Sequence, residues 1–136
     1  MKFAEINLLA IALSGVANVI IGGLWYGPLF GKAWMNLVTK INKNLKKKQE
    51  GIVRSMIIGT LGAMVLAVVL NLILIMANAK TLFQGFHVGF FVWLGIAAVL
   101  RLNGVLFEKR PFRLFMINAS FDLILILAIS SIIVLL

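Results

Sequence analysis

The sequence predicts an all-α, polytopic integral membrane protein, a four-transmembrane-helix bundle with an amphipathic interfacial helix on its cytoplasmic side. Three observations lead there. Apolar residues make up 62% of the 136-residue chain and charged residues only 12%, whereas a soluble domain is about 45–50% apolar and about 25% charged. The apolar residues gather into four runs, each close to the roughly 20 helical residues that cross a hydrocarbon layer about 30 Å thick. The basic residues gather in two of the connectors. Mean hydropathy is +1.10. Period-two alternation is missing, and backbone groups in lipid must be satisfied within their own segment, so the runs read as helices and not as barrel strands.

The spans fall at about residues 6–26, 56–77, 82–100 and 114–136, all within one membrane domain covering residues 1–136. The first resembles a secretory signal only superficially. Its apolar run is too long, no small-residue cleavage site follows, and Trp25-Tyr26 ends it as an interfacial aromatic belt would, so it is read as retained. Gly27-Pro28 then breaks the helix. Beyond it, Phe30, Trp34, Leu37, Val38, Ile41 and Leu45 recur at helical spacing, with Lys32, Asn36, Lys40 and Lys43 on the other faces. This is the amphipathic pattern of an interfacial helix over about 29–45, apolar side toward the acyl chains and basic side toward anionic headgroups.

Charge placement sets the orientation. Lys32, Lys40, Lys43, Lys46, Lys47, Lys48 and Arg54 lie between spans one and two; Arg101, Lys109, Arg110 and Arg113 lie between spans three and four. That is eleven of the 13 basic residues. The positive-inside rule puts both connectors in the cytoplasm and both chain ends outside. The net charge of +9 is therefore an orientation signal. Nucleic-acid binding, the rival reading of a pI near 10.6, needs a basic face on a soluble fold.

Apolar burial drives helix association weakly in lipid, so small and polar seams carry the information. Span one offers Asn7, Ile11, Ser14, Gly15, Asn18 and Gly22; span two, Gly59, Ala63, Ala67 and Asn71; span three, the pair Gly85 and Gly89; span four, Asn118 and Asp122. Together they predict one compact bundle, open to homo-oligomerisation. A faint echo between halves, Gly22-Gly23-Leu24-Trp25 before Pro28 and Gly104-Val105-Leu106-Phe107 before Pro111, would fit parallel repeats.

Asp122 stands out. It sits near mid-bilayer, where a charge costs at least about 2.5–3.5 kcal/mol. No basic residue lies inside the four predicted spans to neutralise it. Asn118 is one turn away, and Asn18 or Ser14 could reach it across the bundle. The residues allow a neutral, hydrogen-bonded Asp122 that joins helices, and a proton relay or cation site. The lone His87 lies near the outer interface, off the Gly85/Gly89 face, and reads as bonded to a neighbour. No cysteine is present, and there are only one histidine and four acids. No phosphate loop, nucleophile elbow, paired carboxylates or HExxH occurs. The expectation is a non-enzymatic protein with no cofactor and no metal site.

The stretch Trp25-Tyr26-Gly27-Pro28-Leu29-Phe30-Gly31-Lys32-Ala33-Trp34 resembles a family of small bacterial and archaeal membrane proteins, domain of unknown function 1761. Asn103 to Glu108, Pro111 and Leu114 to Asn118 are similar to its pattern, and the likeness covers essentially the whole chain. It implies a four-span protein of a prokaryotic cell membrane without an assigned activity, and brings no catalytic or ligand residues; Asp122 is not part of the pattern. It directs attention to the corner formed by Trp25, Tyr26, Gly27, Pro28, Gly31 and Trp34, where Gly27 and Gly31 permit close backbone approach. The corner reads as a structural joint between span and interfacial helix. The sequence as a whole then predicts a structural or interaction protein in contact with anionic membrane lipids, and without nucleic acid. The alternative is one subunit of a small homo-oligomeric transporter or channel built around an intramembrane acid.

Overall fold

A computed structural model of the chain describes residues 6–41 and 52–136. They are all-helical, with no strand among the described residues. Helix α1 (Leu8–Leu24) continues through a π-helical segment, Trp25–Leu29, and turns into α2 (Gly31–Ile41). Helix α3 (Ile52–Met76) follows. The third span is α4 (Leu82–Val92), a second π-helical segment at Trp93–Ala98, and α5 (Val99–Phe107) in one continuous run; α6 (Phe112–Leu135) completes the bundle. Four of these helical runs, Leu8–Leu29, Arg54–Met76, Leu82–Phe107 and Phe112–Leu135, are long and apolar enough to cross a membrane. Their outward faces are apolar: Ile57, Ile58, Leu61, Val65, Phe83, Phe91 and Met116 are all exposed. A water-soluble surface of this kind would be an aggregation hazard, whereas in hydrocarbon it is solvated.

Helix α6 is the hub. It packs against α1, α3 and α4, while α3 and α4 touch little despite being neighbours in the chain. The centre is a cluster of Ile11, Ala67, Leu70, Leu125, Ile126 and Ile129. Close approach comes from small residues. A Cβ on Gly85 would stand 2.9 Å from Val134 Cγ2, and one on Gly89 2.8 Å from Ser130 Oγ. In α3 the seam is buried at Ala63, Ala67 and Asn71, but Gly59 is exposed and meets nothing within 4 Å. Asn7 is a cap and not part of a seam, its Oδ1 accepting from Leu9 N at 3.0 Å and Ala10 N at 3.3 Å.

Several boundaries move. Gly27-Pro28 does not break the first helix. The wide turn of the π segment accommodates the proline ring, whose missing N–H and bulk would otherwise disrupt an α-helical turn, and the chain departs from helix only at Phe30, with φ −124° and ψ 10°. The third span does not stop at Leu100 but runs seven residues further, to Phe107. Within the range expected for the interfacial helix, the structure has a helix at Gly31–Ile41; residues 42–45 of that range, and the lysines at 43 and 46–48, lie outside the described residues. The echo between halves is partial: Gly22–Leu24 and Gly104–Phe107 are both α-helical, but Pro28 lies inside a π-helical segment whereas Pro111 is the N-cap of α6.

The short turn after α3 is defined by capping that hydropathy alone does not reveal. Asn78, at φ 56°, ends α3 in a Schellman arrangement, with Ala79 N donating to Leu74 O and Asn78 N to Ile75 O, both at 3.0 Å. Thr81 and Gln84 then form a reciprocal capping box that starts α4.

Candidate functional site

One turn and a half of α6, residues 117–122, collects hydrogen bonds from both neighbouring helices. From the first span, Trp25 Nε1 donates to the Ile117 carbonyl at 3.0 Å, and the Tyr26 hydroxyl donates to Asn118 Oδ1 at 2.7 Å. From the third span, Trp93 Nε1 donates to the Ala119 carbonyl at 2.8 Å. One turn further along, Arg101 grips Asp122 in a fork: Nε to Oδ2, and Nη2 to Oδ1 at 3.0 Å. A helical carbonyl keeps a second lone pair after its own intrahelical bond, so the two indoles add to the helix ladder without displacing it.

The arrangement corrects one expectation. Asp122 does have a basic partner inside the spans, and it is Arg101. Hydropathy trimmed the third span at the first charge it met; the helix passes through it. The reason lies one turn earlier. Gly85, Gly89, Trp93 and Arg101 all face α6, at multiples of four residues. In a regular α-helix a four-residue step drifts about 40°, so Arg101 would end far from the Gly85 face. The π-helical turn Trp93–Ala98 takes up one extra residue and resets the phase by about 100°. With it, Arg101 meets α6 and Leu100 is left 63% exposed. The carboxylate is the better covered partner, 16% exposed against 43% for the guanidinium.

The corner and the polar residues of α6, separate in the sequence, meet here. Tyr26 and Trp25 are the last residues before Gly27-Pro28, and both reach α6. The Tyr26 ring lies edge-on to Trp34 of α2 at 5.3 Å and to Phe121 of α6 at 5.2 Å; Trp25 lies 5.1 Å from Phe30. Gly31 is required for this fold-back, since a Cβ there would stand 2.8 Å from the Tyr26 carbonyl oxygen. Gly27 is different: it is exposed and a Cβ would meet nothing within 4 Å, so close approach is the duty of Gly31 alone.

Two sequence candidates stay apart from the cluster. Ser14 is fully buried and donates to Ala10 O of its own helix at 2.7 Å. It lies twelve residues before Tyr26, about 18 Å along α1. Asn18 is half-buried, and among the described residues no hydrogen bond joins it to Asn118 or Asp122. His87 is exposed, with Nδ1 3.1 Å from Phe83 O.

The sequence model of a family described as protein of unknown function (DUF1761) matches residues 9–134. The chain belongs to this family. No curated protein and no solved structure matches it. In this DUF1761 chain, then, the site must be read from its own geometry. Trp93, Arg101 and the π turn between them are what the sequence reading missed; at regular helical pitch Arg101 turns away from the Gly85 face, so spacing alone held no signal for it.

Beside the cluster, α5 and α6 enclose an open cleft of about 370 Å³, lined by Arg101, Asn103, Glu108, Arg110 and Asn118 together with apolar side chains such as Leu100, Leu114 and Phe115. Arg110 Nε pairs with Glu108 Oε2 at 2.7 Å. Asp122 is not among its lining residues.

Proposed function

We propose that this chain is a non-enzymatic structural or interaction protein of a prokaryotic cell membrane, and that Asp122 serves as an internal counter-ion that joins helices. The observation that carries this reading is the two-pronged Arg101–Asp122 ion pair. A relay carboxylate must exchange protons with water, but both oxygens of Asp122 are engaged by one guanidinium, the strongest hydrogen-bond partner a carboxylate finds in a protein. Protonating Asp122 would leave Arg101 without its counter-charge at membrane depth, which is expensive.

The reading extends to the surroundings. The basic connectors face the cytoplasm by the positive-inside argument. Helix α2 lies in the interface as an amphipathic element, with the exposed Lys32 toward anionic headgroups. Lipids are then its first partners, and a second copy of the chain is compatible with the exposed apolar faces. Impermeant labelling of Lys47→Cys in intact cells tests the orientation; labelling from outside reverses it.

The competing reading is a transporter or channel subunit driven by Asp122. Proteoliposomes holding wild type or Asp122→Asn, monitored with a lumenal pH dye under an imposed potential, separate the two. Equal, background-level flux from both is expected. Proton flux from wild type that Asp122→Asn abolishes would discard the counter-ion reading.

A further inference from the structure

We infer that the α5–α6 cleft is a binding site for the phosphate head of an anionic lipid. The inference rests on the interaction reading above and gives it a place and a ligand class. Four features of the cleft point the same way. Two guanidiniums line it, Arg101 and Arg110, with Glu108 the one acid of the lining; Asp122, which offsets Arg101, lies outside the lining. Of the five N–H groups of Arg101, Asp122 engages two, and the side chain is still 43% exposed, so N–H groups outside the ion pair reach the space in front of it. Asn103 adds an amide to the same wall. Helix α6 begins here behind Pro111 with no side-chain cap and no acid in its first turn, so its positive end adds to the field.

Depth and shape select a lipid over a soluble anion. Arg110 lies in the connector beyond α5, and Arg101 lies six residues inside α5, about 9 Å deeper. A ligand touching both crosses from headgroup depth into the acyl layer. The walls between mix the amides of Asn103 and Asn118 with apolar side chains, and among these Leu100 is exposed on the outer face of the bundle. A volume of about 370 Å³ is at the small end of ligand clefts, sized for a headgroup and its nearest carbons while the chains remain in the bilayer. Basic pockets between spanning helices are a general means of holding such headgroups.

Native mass spectrometry of the full chain in detergent, with phosphatidylglycerol and phosphatidylcholine added at equal concentration, tests the site. One phosphatidylglycerol per chain is expected, retained at least about fivefold over phosphatidylcholine, as one basic contact supplies. Arg110→Gln should lower retention to the phosphatidylcholine level, and Glu108→Gln, which removes the one acid of the lining, should raise it. Arg113→Gln is the control: this exposed residue is just as basic and close in sequence but does not line the cleft, and it should change nothing. Equal losses from Arg110→Gln and Arg113→Gln would mean a diffuse basic surface and overturn the site. So would equal retention of the two lipids. Displacement of the lipid by millimolar inorganic phosphate would make a soluble anion the ligand and overturn the lipid assignment. None of these outcomes depends on proton flux, so this inference and the counter-ion reading can fail separately.

Discussion

The two ends of the bundle are held by different physics. Around Ile117–Asp122, α6 is fixed by directional bonds: two indoles, a phenol and a guanidinium, from two different helices. Around Gly85, Gly89 and Ser130, α6 is fixed by shape, with α4 so close that no Cβ fits at either glycine. The first end has its named polar groups paired. The second buries Ser130 Oγ without a partner, as α3 does Asn71 Nδ2, among the described residues. Directional bonds specify register and rotation, whereas close packing supplies contact but tolerates sliding. The difference suggests that the Asp122 end defines how the helices are aligned and the glycine end how tightly they close.

The largest loss is expected where the charge pair is removed from one side only. Arg101→Leu should destabilise the bundle by about 2.5–3.5 kcal/mol, the penalty of an uncompensated acid at membrane depth, read as a lower unfolding midpoint in a detergent titration. Arg101→Leu combined with Asp122→Leu should recover much of that loss, because removing both partners leaves no orphaned charge. A double variant as unstable as the single would mean that the pair acts through packing and not charge.

A smaller effect is expected at the other end. Gly85→Ala drives a methyl against Val134 Cγ2, and a β-branched side chain in a helix has little rotamer freedom to yield. Overpacking costs about 1–3 kcal/mol, partly offset by the better helix propensity of alanine, about 1 kcal/mol, so a net loss near 1 kcal/mol is expected in the same titration. Gly62→Ala sharpens the contrast, since a Cβ there meets nothing within 4 Å, and it should cause no loss at all. Equal effects at Gly85 and Gly62 would show that close packing does not hold α4 to α6.

The fold was readable from the sequence wherever hydropathy alone decides, and less so where local geometry intervenes. Four spans and a helix after the Trp25–Phe30 corner follow from apolar runs and periodicity. The Gly85/Gly89 contact follows from small-residue spacing. Arg101 was hidden for two reasons: hydropathy ends a span at a charge, and helical phase at constant pitch turns that charge away from α6. Both rules assume a regular helix, and Trp93–Ala98 is not one. Of the site residues, Asp122 and Asn118 were marked by their cost in lipid, and Trp25 and Tyr26 as an aromatic belt. That these two groups bond to each other depends on antiparallel packing of α1 and α6, which one-dimensional patterns do not contain. Ser14 stays out of the cluster because a serine within a helix can satisfy itself on the preceding turn, as its bond to Ala10 O shows.

The widened turn at Trp93–Ala98 makes the distance in sequence between the indole and the guanidinium a gearing ratio. Arg101 lies eight positions after Trp93, and that number works only while one of them is wound in as surplus. A family member shortened by a single residue in this interval would regain an ordinary pitch and still deliver its arginine to the acid, whereas one that kept the length but lost the bulge would swing the same arginine out among the acyl chains. When other members are compared, the count between these two positions therefore deserves as much weight as the letters that fill it.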